Sequence, residues 1–181
     1  MEDEISIAEK YLILLLGVED KPIPSELYLQ KEIFVLSQFR PKIQSIFNFQ
    51  KHYKGPYSQL ISEIVDAPIY HPGAFEKINE KIVITKNGKN QYREILEEYS
   101  KNNEFNTLIS SLIFIRRLYE KLDQEQLLFL IYTSYPNYIE FSNISDKLLK
   151  DNQVRLRISR ELFQKGIITE ERFLELKDDQ K

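Results

Sequence analysis

Apolar residues recur three and four positions apart through most of this chain, which is the period of helices with one buried face. Ile5, Ala8, Leu12, Leu15 and Leu16 share such a face, and Gly17 marks its stop. Pro22 and Pro24 fix a loop, and Ser25 stands where a second helix needs its N-cap. That helix runs to about Phe39 through Leu29, Ile33, Phe34 and Leu36, and Pro41 ends it because the residue before a proline avoids the α region. Ile46, Phe47 and Phe49 read as a short extended piece leading to a sharp turn at Gly55-Pro56. The turn opens a third helix over residues 57–66, with Pro56 presetting its entry, Ser58 capping it, and Leu60, Ile61, Ile64 and Val65 as its apolar stripe.

The period then changes. Residues 75–78 and 81–84 read as two short strands around Asn79-Glu80. Thr85 caps a helix over 86–99, carried by Tyr92, Ile95, Leu96 and Tyr99. This places Gly88 in the first turn, at a cost of about 1 kcal/mol against Ala. A polar linker over 100–104 precedes a long helix over 105–122, and Asp123 with Gln126 forms a D-x-x-Q capping box for a helix reaching Thr133. A turn at Pro136 leads to short helices over 145–150, 154–165 and 169–176, with Gly166 as a C-cap. The fold class expected is mostly α with a small β hairpin. A winged-helix-like unit occupies residues 1–100, and a helical C-terminal unit, residues 101–181, packs on it.

Composition narrows what such a chain can do. Of 181 residues, 42% are hydrophobic and 29% charged, a balance that can bury a core. With 25 Lys and Arg against 28 acids, net charge −3, it is not a uniformly basic nucleic-acid binder. The absence of Cys excludes disulfide and thiolate chemistry, and two His are too few for a histidine-rich metal site. The apolar runs fall short of the ~20 residues that span a bilayer, and the acidic start is unlike a secretory signal. A cytoplasmic protein without a membrane partner is the expectation.

Two motifs carry a resemblance. Leu29-Gln30-Lys31-Glu32-Ile33-Phe34-Val35-Leu36 and Tyr53-Lys54-Gly55-Pro56-Tyr57-Ser58 resemble the LQK-x-x-F-x-L helix and Y-x-GPYS turn of the Panacea, or SocA-like antitoxin, group and of related winged-helix-like prokaryotic proteins. The resemblance covers residues 7–99 and touches 122–142. It implies toxin neutralisation, with a toxin-like protein as partner.

The residues themselves suggest where a partner would be held. Tyr53, Lys54 and Tyr57 at the turn, with Gln59 and Glu63 beyond it, form the candidate protein-binding face, since aromatics and cations are common interface anchors. DNA is the alternative partner. Arg40, Lys42, Lys51 and Lys54 lie in a stretch without an acid, and Lys81, Lys86 and Lys89 lie in and after the wing. Against DNA, the outward positions of the third helix, Gln59, Ser62, Glu63 and Asp66, include two acids and no cation. A second basic cluster, Lys147, Lys150, Arg155, Arg157 and Arg160, reads as a solvated helix face. Ser58 with His52 is the one nucleophile–base pair in reach, and no oxyanion loop, P-loop or G-x-G-x-x-G accompanies it. The expectation is therefore a non-enzymatic regulator without cofactor, binding a protein, or alternatively DNA, as a monomer or homodimer.

Overall fold

The computed structural model describes residues 3–178. Ten α-helices and two two-stranded antiparallel hairpins make up those residues, so the chain is mostly α with small β elements. The chain forms two compact units, one holding residues through Phe49 and again from Ser58 to Glu120, the other holding Gln50–Tyr57 and everything from Lys121 onward. The boundary expected near residue 100 falls inside the first unit.

The first unit is built on α1 (Glu4–Gly17), started by Asp3, whose side chain accepts the Ile5 N–H at 2.8 Å. Leu12 through Leu16 are all buried, so this helix is apolar all round over its second half rather than on one face. Helix α2 (Glu26–Gln38) and α3 (Pro41–Phe47) follow. Ile43, Ile46 and Phe47 are the buried face of α3, so the extended piece expected here is a helix instead. Pro41 both ends α2 and opens α3 at its first turn, where a missing N–H costs nothing.

After Ser58 come α4 (Gln59–Asp66), the strands β3 (Phe75–Ile78) and β4 (Lys81–Ile84), then α5 (Lys86–Tyr99) and α6 (Asn103–Tyr119). Asn79 and Glu80 both take positive φ, 48° and 69°, the geometry of a tight hairpin turn that follows strand twist. Ile23 bonds to Ile82 in both directions, at 2.9 and 3.0 Å, and so supplies a third, one-residue strand to this hairpin. Between α1 and this hairpin the chain thus places the Ile23 bridge and the helices α2, α3 and α4. Thr85 caps α5 by accepting the Gly88 N–H. Gly88 is required by close approach, because a Cβ there would lie 1.9 Å from the Ala74 carbonyl oxygen.

Three buried polar groups tie this unit together. Glu9, fully buried on α1, accepts N–H groups from Ile69, Tyr70 and His71 and faces His71 Nδ1 at 3.0 Å. Glu32 on α2 pairs with Arg116 on α6 at 3.1 Å, both out of solvent. Gln30 clamps the start of α4, its Nε2 donating to the Ser58 carbonyl at 2.9 Å and its Oε1 accepting the Ser58 N–H at 2.8 Å.

The second unit contains β1 (Gln50–His52), β2 (Gly55–Tyr57), α7 (Gln124–Ser134), a 3-10 turn (Pro136–Tyr138), α8 (Ser145–Leu149), α9 (Asn152–Gln164) and α10 (Glu170–Asp178). The capping box at Asp123 and Gln126 is formed in both directions. Leu127, Leu128, Phe129, Ile131, Tyr132, Leu148, Ile158 and Leu162 make its core. Gly166 ends α9 at φ 66°. Among the described residues no helix is long and apolar enough to cross a membrane.

Candidate partner-binding surface

Gly55-Pro56-Tyr57 is a strand, not the first turn of a helix. β1 and β2 pair antiparallel with Gln50 opposite Tyr57, Lys51 opposite Pro56 and His52 opposite Gly55, which leaves Tyr53 and Lys54 as the turn. Gly55 takes φ 83°, the left-handed residue that closes the turn, while Tyr53 and Lys54 stay outside that region. Helix α4 begins two residues after Tyr57, and Ser58 sits at its N-cap with no side-chain cap bond. Pro56 therefore lies in a strand, with its missing N–H tolerated in a two-stranded edge, and presets no helix. The backbone of Ser58, clamped by Gln30, is the functional part of that residue. That clamp joins the LQK helix to Ser58, the last residue of the GPYS motif.

The hairpin is held within its unit by several contacts. Ile131 and Tyr132 of α7 lie over Gly55, where a Cβ would come within 3.0 Å of the Tyr132 ring. The Tyr132 hydroxyl accepts from Ser142 Oγ at 2.9 Å, and burial pushes its pKa up. The Asn143 N–H donates to the Tyr53 carbonyl at 3.3 Å, and Lys51 pairs with Glu140. On this support His52 stacks on Tyr57 with centroids 4.7 Å apart, and Tyr53 meets His52 edge-on at 4.9 Å. Tyr53 is 63% exposed and His52 is exposed too, so these rings face solvent on a pinned backbone.

The other expected residues fall as follows. Gln59 and Glu63 are exposed one turn apart on α4, in the first unit, joined by a 3.2 Å hydrogen bond. Asp66 is exposed on the same helix, and Ile61, Ile64 and Val65 face inward. Arg40 is the N-cap of α3 and Lys42 lies in its first turn, both in the first unit. Lys51 and Lys54 belong to the second unit, so the acid-free stretch over 40–54 is no single element. Lys81 and Lys86 are exposed, whereas Lys89 is paired with Asp20 at 2.6 Å. In the later basic cluster Lys147 and Arg157 share Glu125, at 2.7 and 2.6 Å, and Lys150 pairs with Asp146 at 2.8 Å. Hydrogen bonds from Lys147 and Arg157 hold the Glu125 carboxyl below its usual range. His52 and Ser58 lie in different units. Among the described residues no group of three or more His, Asp or Glu is placed to hold a metal ion.

Compared with protein-family models, with curated proteins and with solved structures, the chain finds no match.

Proposed function

We propose that this chain is a non-enzymatic regulatory protein of antitoxin-like type, which acts by binding and occluding a protein partner in the cytoplasm of a prokaryotic cell. The observation that carries the reading is the ring cluster on the β1–β2 hairpin. Tyr53, His52 and Tyr57 offer large apolar area at little conformational cost, on a backbone already fixed by Asn143 and the Lys51–Glu140 pair. The resemblance of the LQK and GPYS segments to the SocA-like group supports a toxin-like partner.

The test is co-expression with the product of an adjacent small reading frame, followed by co-purification at about 0.5 M salt, where phosphate contacts are largely screened. Binding should survive that salt, and Tyr53→Ala should weaken it at least tenfold while leaving stability within about 0.5 kcal/mol of the parent, as befits an exposed side chain. Unchanged capture by a folded Tyr53→Ala protein would remove this face from consideration.

The β3–β4 hairpin, widened by the Ile23–Ile82 bridge and carrying the exposed cation Lys81 with Lys86 just after it, favours a second reading as a DNA-binding regulator that uses this hairpin as a wing. That reading requires duplex binding that weakens steeply with salt. The outer face of α4 speaks against it, since Glu63 and Asp66 would meet phosphates.

A further inference from the structure

Within the first unit, α1, the start of α3, the end of α5 and the start of α6 leave a cleft between them. Its inner lobe has a volume of about 170 Å³ and is walled by Tyr11, Leu14, Ile95, Tyr99, Phe105 and Leu108. A cavity of ~150 Å³ holds one benzene ring, so this lobe is the size of a single aromatic group. Its walls suit one: Tyr99 and Phe105 are a tilted pair with centroids 5.2 Å apart, and Tyr11 packs edge-on against Phe47 at 6.3 Å. The lobe opens into a wider groove that shares Tyr11, Tyr99 and Phe105 and adds Arg40 at its mouth, with Lys42 at the junction of the two.

The charge at that mouth is one-sided. Lys10 lines the inner lobe, Arg40 and Lys42 the opening, and Glu104 is the one acid on either wall. Many cations of this chain are already matched: Lys21, Lys89 and Arg117 have carboxylate partners within the same unit. Arg40 and Lys42 have no ion-pair partner among the described residues. Arg40 lines the same groove as Tyr11, whose hydroxyl pKa burial raises and the Arg40 charge pulls back.

We propose that this cleft binds an aromatic monocarboxylate, with the ring in the inner lobe and the carboxylate against Arg40 and Lys42. A neutral ring would make no use of the two cations, whereas a carboxylate would pair with them. A long acyl chain would exceed the lobe. The site is separate from the hairpin and does not rest on the function proposed above.

Calorimetric titration of the full chain tests it, with benzoate, phenylacetate and 3-phenylpropionate as probes and benzyl alcohol and decanoate as controls. The best of the three aromatic acids should bind with a Kd on the order of 0.1–1 mM, at least tenfold tighter than benzyl alcohol. The double variant Arg40→Gln with Lys42→Gln, altered only at the rim, should lose at least tenfold of that affinity. Ile95→Phe, which fills the lobe, should abolish binding. If that variant fails to fold, the rim variant decides alone. No saturable binding of any aromatic acid, equal binding of benzyl alcohol, or full affinity in the rim variant would each overturn the proposal. Tighter binding of decanoate would assign the groove to acyl chains instead, and light scattering showing a ligand-independent dimer with the groove covered would assign it to a second copy; either result overturns it too.

Discussion

Glu32 is fully enclosed, and its charge is expensive there. Burial pushes its carboxyl up to about 7 from an ordinary 4.5, and the Arg116 guanidinium at 3.1 Å returns only part of the shift. The unfolded chain releases this proton near pH 4.5, whereas the folded chain keeps it until about 7. The contribution of Glu32 to stability is therefore full below pH 4.5 and is lost as pH rises towards 7. Glu32→Gln should remove that slope, so that between pH 4.5 and 7.5 the parent loses roughly 3 kcal/mol relative to the variant in urea unfolding. Arg116→Met leaves a carboxylate with no counter-charge. It should cost about 3–5 kcal/mol above pH 7 and clearly less below pH 5, where the carboxyl is neutral. A pH-independent deficit would mean that Arg116 acts through packing alone.

At the scale of elements, much of the chain was legible because its patterns are local. The Thr85 cap of α5 and the capping box at Asp123 each join residues three positions apart, and the β3–β4 hairpin pairs residues no more than nine apart. The segment 41–57 was not legible. Helix α3 has seven residues, too few for a period to declare itself, and its start at Pro41 hides behind the end of α2. The strands β1 and β2 have three residues each and are settled by α7 and by Asn143, far along the chain. A turn of Tyr53 and Lys54 before Gly55 was the one available hairpin signal, and the proline after it pointed towards a helix instead. The candidate residues at the turn, expected at the entry of a helix, stand on a strand pair. The Glu9 and Glu32 networks had no signal, since a lone Glu inside an apolar helix names no partner.

Two element-scale expectations follow. Gly88→Ala sets a methyl group against a backbone oxygen at 1.9 Å, which no side-chain movement relieves, so it should cost about 2–4 kcal/mol in thermal or urea unfolding despite the better helix propensity of Ala. The loop over 68–72 exposes Ile69 and Tyr70 but sends its N–H groups to buried Glu9. Those amides should exchange as slowly as core amides, and Glu9→Gln, with one accepting oxygen in place of two, should speed them at least tenfold, about 1.4 kcal/mol. Fast exchange in the parent would show that the cage opens freely.

For the whole molecule, the division into units matters more than the polar linker near residue 100. Helix α6 carries Leu108, Leu112, Ile115 and Arg116 into the core of the first unit. A chain ended after Tyr99 should therefore lack a cooperative thermal transition, whereas one ended after residue 122 should retain the helical signal of the first unit with a measurable melt; circular dichroism distinguishes the two. The eight residues of the β1–β2 hairpin lie early in the chain but belong with helices made last. As the polypeptide leaves the ribosome, everything the first unit needs has emerged once Glu120 is out, yet the aromatic hairpin, earlier in sequence but part of the second unit, must wait for Tyr132, Glu140 and Asn143 before its own supports exist. A nascent chain thus carries its ring-bearing segment unsupported for roughly eighty residues of synthesis. In that interval an early-arriving partner or chaperone meets the segment in a looser form than the finished protein offers.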